Sequence, residues 1–423
     1  MFWIKDVIRV LAGQNPARYL RSALWLTTAK VTSMLVSLIA TFYVARVLGP
    51  QNFGELSYAQ SVIGILAVLG GLTGVLYRDI VAKKEPEGLL LGTAWVVSFA
   101  SSLTTAILVA TYVFIVSHDT LTIWVIGILL ISQFLNPFYI INNVFYAKTE
   151  TKWLAFAQLL IHVLISGTKI TAMIFGQGVL VLATIFVFEH ILTALVLSVL
   201  YLFLHKGSFF SWGFKLTYAK KMVFDSLPIV IISVSGMISG RVDQVLLRNI
   251  VDITTVGFYS VAVQLSEVWQ FIPGLILTAL FPAIANARNN RTIYGRRLVA
   301  LGGSFFVFGI VVSFFTTLLA PFVVPLIYGQ AFTSSVALLQ VYIWSSTGMM
   351  LGFLISSFLA VENLRRVQIV TGVIPMLLNV LLNIILIPVS GALGAALATT
   401  ISYSLLPIIP FFFPSVRRVI LAK

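Results

Sequence analysis

Long apolar segments recur from one end of the chain to the other, and they limit the possible folds more than any other feature. A helix needs about 20 mostly apolar residues to cross the hydrocarbon core of a bilayer. The alternating pattern of membrane β-strands is absent from these segments. We therefore predict an all-α integral membrane protein with twelve transmembrane helices, at roughly 21–45, 57–76, 89–116, 121–146, 153–175, 178–204, 224–247, 257–285, 298–327, 333–360, 368–387 and 391–412.

Composition agrees with this fold class and excludes several functions. Charged residues make up 9% of the chain and the mean hydropathy is +1.04, so a water-soluble fold would lack the polar surface to cover itself. There is no cysteine, which excludes disulfides, thiolate catalysis and cysteine-rich metal sites. The net charge of +14 comes from short basic clusters between apolar segments, without the continuous basic stripe of a nucleic-acid-binding surface. We expect no nucleic-acid partner.

The distribution of basic residues predicts the orientation in the membrane, because lysine and arginine concentrate in cytoplasmic loops. Of the 27 in this chain, only Arg46 and Arg248 lie in the opposite set of loops, and Lys30, Lys169 and Arg241 lie within spans. All the others lie in alternate connections or near the termini. We therefore predict that both termini are cytoplasmic.

The N-terminal segment lacks a signal-peptide pattern because Lys5, Asp6 and Arg9 interrupt its apolar residues. We predict a short interfacial helix there, ended by Gly13 and Pro16.

An internal repeat divides the chain into two halves. Four pairs of segments match in order: GELSYA at Gly54 with GFYSVA at Gly257, LYRDIVAKK at Leu76 with LFPAIANAR at Leu280, FYAKTETK at Phe145 with FLAVENLR at Phe358, and GVLVLA at Gly178 with GALGAA at Gly391. Each half holds six spans, so the repeat is parallel, about an axis along the membrane normal, as in transporters with a central cavity. We predict an N-terminal half at 1–204, a cytoplasmic linker at 205–223, and a C-terminal half with a short basic tail at 224–423.

Two segments near the N-terminus resemble a known family. The stretch VARVLGPQNFGELSYAQSV at 44–62, followed by GGLTGVLYRDIVAKKE at 70–85, is similar to the signature of Wzx-type polysaccharide flippases. These belong to the multidrug/oligosaccharidyl-lipid/polysaccharide superfamily. The signature covers about residues 20 to 90, whereas length, span number and two-half organisation agree over the whole chain.

The resemblance implies a function that the spans alone do not. It implies translocation of an undecaprenyl-diphosphate-linked oligosaccharide across the bacterial cytoplasmic (inner) membrane by alternating access, for O-antigen or other surface polysaccharide. The implied partners are the lipid-linked oligosaccharide, membrane lipid and other membrane proteins of polysaccharide assembly. It also implies that Arg78, which follows the Gly-Leu of this signature at the cytoplasmic edge, meets the diphosphate; the alternative is a positive-inside anchor balanced by Asp79 and Glu85. Arg46 is the comparable candidate at the opposite edge.

Ionisable side chains within spans cost about 2.5 to 3.5 kcal/mol each on insertion scales, so each needs a cavity or a partner. Lys30 lies near the middle of the first span. The hydroxyls of Thr27, Ser33 and Ser37 make its face of the helix polar, so we predict that Lys30 lines a cavity and holds the diphosphate; the alternative is a structural ion pair.

Two further groups of charges have both a functional and a structural interpretation. Arg241 and Arg248 share one face of the seventh span, where a guanidinium fork suits a diphosphate, or where Arg241 forms an interhelical ion pair. Asp243 lies on another face and should meet a different helix, and Glu267 lies in the next span.

Lys169 in the fifth span is predicted to pair with Glu189 in the sixth, either as a structural salt bridge or as a protonatable site coupled to ion movement. The only cofactor we consider is such a coupling ion, H⁺ or Na⁺.

Several enzyme classes lack their motifs here. There is no phosphate-binding loop of the G-x-x-x-x-G-K-[ST] type, no metal-ligand spacing, no G-x-S-x-G elbow and no long outer loop with paired carboxylates. We therefore predict no catalytic residues, in agreement with the flippase that the resemblance implies. Two alternatives stay open: a cation-coupled multidrug exporter of the same superfamily, and a polytopic glycan polymerase or ligase. An exporter of cationic drugs should have more acidic than basic residues in its cavity. Acidic and basic residues are equal in number within the predicted spans, so only their positions can distinguish an exporter from a flippase.

Overall fold

The computed structural model describes residues 16–116, 119–205, 208–288 and 290–420. The predicted interfacial helix at the N-terminus lies before these residues. Within the described ranges the chain is helical and contains no β-strand, which confirms the predicted all-α class.

Seven α-helices form the first half of the chain. They are α1 (Pro16–Ala67), α2 (Leu76–Val81), α3 (Glu87–Val116), α4 (Thr120–Ile131), α5 (Asn142–Ala147), α6 (Thr151–Ile174) and α7 (Val179–Leu204). Short 3₁₀ segments at Val68–Thr73 and Ser132–Ile141 continue α1 and join α4 to α5. Pro137 lies inside the second of these, where a proline removes one backbone donor and favours the tighter winding.

Seven more α-helices follow a 3₁₀ turn at Phe209–Ser211. They are α8 (Leu216–Ile250), α9 (Ile253–Ala287), α10 (Arg291–Tyr328), α11 (Ser335–Tyr342), α12 (Ser345–Val361), α13 (Arg365–Ser404) and α14 (Pro414–Ile420), with 3₁₀ turns at Gln330–Phe332 and Ile409–Phe412. Side chains cap the starts that follow short turns: Asp252 accepts a hydrogen bond from the backbone of Thr255, and Asn290 from that of Ile293.

Twelve spans result once two bent helices are divided. Ten helical segments in the described part of the chain are long and apolar enough to cross a membrane, and Thr28–Val81 and Arg365–Ser404 are each too long for one crossing. Backbone kinks divide them at Gly49 (φ 73°) and Gly391 (φ 56°), in a region of φ that glycine tolerates. Large apolar side chains such as Phe114 (85% exposed) and Phe203 (79%) cover the outside, as expected of a surface in contact with lipid.

Two compact units make up the described chain. Residues 18–237 form one, and residues 238–420 form the larger part of the other. Each has its own apolar cluster: Leu91, Phe145 and Leu154 belong to one in the first unit, and Leu298 and Phe358 to one in the second.

The repeat is visible in matched burial and matched turns. Gly54 and Gly257 are both buried at the start of corresponding helices, and Ala59 and Ala262 are both fully inaccessible. The turns before α6 and α13 are equivalent too, because Thr149 and Asn363 are both left-handed with φ 56°. The backbone hydrogen bonds of the two turns also correspond when the left-handed residues Thr149 and Asn363 are aligned. This alignment uses an offset one residue longer than the sequence match of Phe145 with Phe358.

Candidate substrate and ion sites

A polar cavity in the first unit surrounds Lys30. It has a volume of about 320 Å³ and lies between α1 and α6. Its lining residues are Ala29, Lys30, Ser33, Met34, Ser37, Ala155, Gln158 and His162. Ala29 and Ala155 are small, which leaves space beside the lysine stem, and the seryl hydroxyls and the Gln158 amide provide hydrogen-bonding groups.

The charge in this cavity is positive. Lys30 is exposed, and it forms no ion pair with any carboxylate of the described residues. None of the lining residues is acidic. The prediction that Lys30 lines a cavity agrees with this geometry, and the alternative of a structural ion pair finds no partner within the described ranges.

An ion pair lies behind the cavity. Lys169 Nζ is 2.9 Å from Glu189 Oε2, which joins α6 to α7 as the sequence predicted. Both side chains are mostly buried, and the Lys169 ammonium also lies 3.9 Å from the ring centre of Phe186. His162 Nε2 is 3.9 Å from Glu189 Oε1, so His162 both lines the cavity and lies beside this pair.

A buried polar cluster in the second unit surrounds Asp243. The Tyr259 hydroxyl donates a hydrogen bond to the Asp243 carboxylate, and Thr399 Oγ1 donates another, of 3.4 Å. Asn379 Nδ2 donates to Thr399 Oγ1 at 3.1 Å, and Asn383 Nδ2 donates to Asn379 Oδ1 at 3.1 Å. Asp243 therefore meets two other helices, α9 and α13, as the sequence predicted for its face of α8.

The members of this cluster are fully buried. Asp243, Asn379, Asn383 and Thr399 are each 0% exposed. The Asn383 Oδ1 atom is buried without a hydrogen-bond partner among the described residues. Buried oxygens without hydrogen-bond partners are rare and costly in free energy. Asn383 Oδ1 can therefore still accept a hydrogen bond or bind a cation.

Sequence reasoning missed the partners of Asp243 in this cluster. Tyr259, Thr399 and Asn379 are uncharged, and the last two come from a helix far along the chain. The spacing of Asn379 and Asn383 by one helical turn within an apolar segment was the available signal.

Arg241 forms the interhelical ion pair that was one of its two predicted roles. Its Nη2 atom is 3.3 Å from Glu267 Oε1, which joins α8 to α9. The side chains remain 34% and 41% exposed, so the pair is open to water or to a ligand. Arg248, two turns further along α8, is partly buried.

The predicted edge arginines differ in their surroundings. Arg46 is exposed at the end of the first part of α1. Arg78 is held between Asp79 at 2.9 Å and Asp225 at 3.0 Å. Asp79 is buried and also accepts hydrogen bonds from Lys84 and Tyr218, so the carboxylate organises the junction of α2 with α8.

The fold defines a class of protein: a multi-pass, all-helical membrane protein with a fold shared by solved membrane transporters. The inward-facing conformation of a multidrug resistance MATE transporter superposes with a TM-score of 0.72 at 16% identity, over 95% of this chain and 98% of that one. The inward closed conformation of the lipid II flippase MurJ superposes with a TM-score of 0.75 at 15% identity, over 94% and 90%. A mutant of the VcmN MATE transporter of Vibrio cholerae gives a TM-score of 0.65 at 13% identity, over 96% and 99%.

The family follows from sequence. A model of the family described as polysaccharide biosynthesis protein matches residues 19–288, well over half of the chain. The chain belongs to this family. No curated protein matches the sequence.

Proposed function

We propose that this protein translocates an undecaprenyl-diphosphate-linked oligosaccharide from the cytoplasmic to the outer leaflet of the bacterial cytoplasmic membrane, by alternating access. The product serves the synthesis of O-antigen or another surface polysaccharide. Membership of the polysaccharide biosynthesis family and a fold shared with a lipid II flippase support this substrate class. The remaining partners are membrane lipid and other membrane proteins of polysaccharide assembly, and the chain has no catalytic role.

The observation that carries the proposal is the sign of the charge in the Lys30 cavity. A diphosphate is a compact polyanion, and a lysine ammonium with nearby hydroxyls is a suitable partner for phosphate oxygens. The lining contains Lys30 and His162 and no carboxylate. A cavity for cationic drugs would need the opposite sign, so this geometry favours the flippase over the multidrug exporter.

We assign supporting roles to the four arginines that the sequence predicted to contact the diphosphate. Arg46 and Arg78, at opposite membrane edges by their sequence positions, attract the diphosphate as it leaves and enters. Arg78 keeps 46% of its side chain exposed despite its two carboxylate partners, so its guanidinium retains donors for phosphate. Arg241 and Arg248 extend the cationic surface along α8, with Glu267 as a competitor for Arg241 that a bound diphosphate would displace.

We assign ion coupling to the Asp243 cluster rather than to Lys169 and Glu189. The latter pair is closed by a 2.9 Å contact and needs no further ligand. Asp243, Asn379, Asn383 and Thr399 instead provide several oxygens, and Asp243 forms no salt bridge with a described residue. A proton on the Asp243 carboxyl, or a Na⁺ ion among these oxygens, would remove the cost of a buried charge. Binding in one conformation only would then bias the transport cycle.

The proposed function is tested by deleting the gene and analysing the lipid-linked saccharides of the cells. Loss of translocation should cause one undecaprenyl-diphosphate oligosaccharide to accumulate at the cytoplasmic face, with loss of its surface polymer. A plasmid copy should restore the surface polymer.

The competing functions predict different outcomes of the same deletion. If the surface glycan were unchanged and the cells became sensitive to cationic drugs, the protein would be an exporter. If the oligosaccharide accumulated on the outer face instead, the missing step would be polymerisation or ligation.

A further inference from the structure

An apolar groove lies in the second unit, away from the charged sites. It has a volume of about 250 Å³ and lies between α10, α12 and the segment after α13. Leu298, Leu351, Phe358, Pro407 and Phe411 are among its lining residues, and every lining side chain is apolar or absent. The groove therefore suits a hydrocarbon chain and excludes a polar ligand.

Two glycines keep this groove open. Gly302 and Gly303 lie on the α10 wall. A Cβ atom at Gly303 would meet nothing within 4 Å, and one at Gly302 would lie 3.6 Å from Leu354 Cδ2. The glycines are thus not required by tight helix packing, and their lack of side chains creates the space. The volume of the groove, about 250 Å³, is also smaller than that of one turn of a helix about 10 Å in diameter, so the groove does not fit a partner helix.

Exposed arginines lie near one end of the groove on two elements. Arg296 precedes the lining residues Leu298 and Val299 on α10 by one helical turn or less. The short helix α14 packs on the same end through Val416, which is buried in one apolar cluster with Leu298 and Phe358. Arg417 and Arg418 follow Val416 and are exposed. The sequence asymmetry of basic residues predicts that this end faces the cytoplasm.

We propose that the groove and these arginines form a binding site for an anionic phospholipid of the inner leaflet. One acyl chain occupies the groove, and the phosphate contacts the guanidinium groups, which hold phosphate oxygens bidentately. Basic pockets at the cytoplasmic side of helical membrane proteins commonly bind anionic head groups. The volume of the groove, about 250 Å³, suits one acyl chain better than a long isoprenoid. A bound lipid would hold α14 against α10.

Native mass spectrometry of the purified full chain in detergent tests this site, with phosphatidylglycerol as the probe and phosphatidylethanolamine of the same acyl chains as the comparison. Phosphatidylglycerol should bind at least tenfold more tightly. Gly303→Phe fills the groove, and Arg417→Gln with Arg418→Gln removes the charge without affecting its apolar walls. Each change should weaken phosphatidylglycerol binding by about tenfold and reduce the preference over phosphatidylethanolamine.

Matched changes elsewhere provide the controls. Gly127→Phe places the same side chain in open space on α4, and Arg365→Gln with Arg366→Gln removes two exposed arginines from the start of α13. Neither should alter lipid binding. Equal binding of the two lipids, or equal loss in the control and test arginine variants, would overturn the proposal. A final experiment adds undecaprenyl phosphate as a competitor. If it displaced phosphatidylglycerol at equal concentration, the groove would bind the isoprenoid and the phospholipid assignment would be wrong.

Discussion

A charged side chain in the membrane must have a partner or a cavity, and the individual residues of this protein show both solutions. Lys169 has Glu189 at 2.9 Å, whereas Lys30 has a cavity of about 320 Å³ and no acidic lining residue. The first was predictable because both members are ionisable and occupy consecutive spans. The partners of Asp243 were not, because Tyr259 and Thr399 are neutral and their approach depends on how α8, α9 and α13 pack.

Replacing Asp243 by Asn tests the coupling assignment at the residue scale. The amide cannot bind a proton reversibly and is a weaker cation ligand, so glycan export should fall at least tenfold while the protein still inserts. Asp252→Asn is the matched control, since asparagine caps a helix as well as aspartate does and Asp252 lies outside the cluster. Export at the normal rate with Asn at position 243 would remove Asp243 from the mechanism.

His205 gives a second prediction at this scale. Burial lowers the pKa of His205, and the nearby Lys148 ammonium, 3.5 Å from its Nδ1 atom, lowers it further. The unfolded chain therefore takes up a proton near pH 6.5 that the folded chain resists, so the free energy of unfolding should decrease as the pH falls below about 6.5.

The size of that effect is limited to about 1.4 kcal/mol for each unit by which the folded pKa lies below the unfolded one. Thermal unfolding in detergent at pH 7.5 and pH 5.5 measures it, with His205→Gln as the comparison. The loss of stability on acidification should be smaller in the variant. An identical loss in both proteins would show that His205 is not the group responsible.

At the scale of the elements, some helix boundaries differ from those that the apolar pattern predicts, because tertiary contacts determine where the helices end. The break predicted between the first two spans, at 21–45 and 57–76, is the kink of α1 at Gly49, where Gly49 and Pro50 are residues typical of turns. The break between α11 and α12 carries no such signal, because Ile343 and Trp344 are ordinary helix residues and only packing separates the two helices. Helix α8 begins at Leu216 rather than near 224, because a hydropathy criterion ends at the membrane whereas a helix continues beyond it.

The linker before α8 is docked on α3, which the sequence did not reveal. Gly213 N donates to Gly88 O at 3.3 Å, and Lys215 N donates to Thr93 Oγ1 at 3.2 Å. A Cβ atom at Gly92 would overlap the carbonyl oxygen of Gly213. Glycine is therefore required there by the close approach of two backbones.

Gly92→Ala should accordingly destabilise the protein by roughly 1–3 kcal/mol, the usual cost of overpacking. Gly127→Ala, on α4, is the control because its Cβ has open space. Alanine is a better helix former than glycine, so that change should be neutral or slightly stabilising. Thermal unfolding in detergent compares them. Equal stability of the two variants would mean that the linker does not pack on α3 as described.

At the scale of the whole molecule, sequence predicted the all-α class, the twelve spans and the parallel repeat. These depend on apolar length and on an even number of spans in each half, which are properties of the chain itself. The exact register of the repeat at the α6 and α13 starts differed by one residue, because Thr149 and Asn363 are unlike in sequence yet share the left-handed turn position.

Orientation is the prediction that belongs to this scale. The concentration of lysine and arginine in alternate loops predicts cytoplasmic termini, and it requires the connection at Lys152 to be cytoplasmic and that at Gln177 to be outside. An alkaline phosphatase fusion should therefore be active after Gln177 and inactive after Lys152, at equal expression. The reverse pattern would invert the topology.

The charge at position 30 provides the most direct test of the proposed mechanism. In cells that lack the native gene, the rate of glycan export would be measured for Lys30→Ala, Lys30→Glu and Lys30→Arg, at equal protein levels in the membrane. Lys220→Ala, which removes an exposed lysine outside the cavity, is the control. We predict that alanine abolishes export and that glutamate, which repels a diphosphate in a cavity of low dielectric constant, does so too. Arginine should retain part of the rate because its charge is preserved. Normal export by both the alanine and the glutamate variants would contradict a cationic cavity that holds the diphosphate.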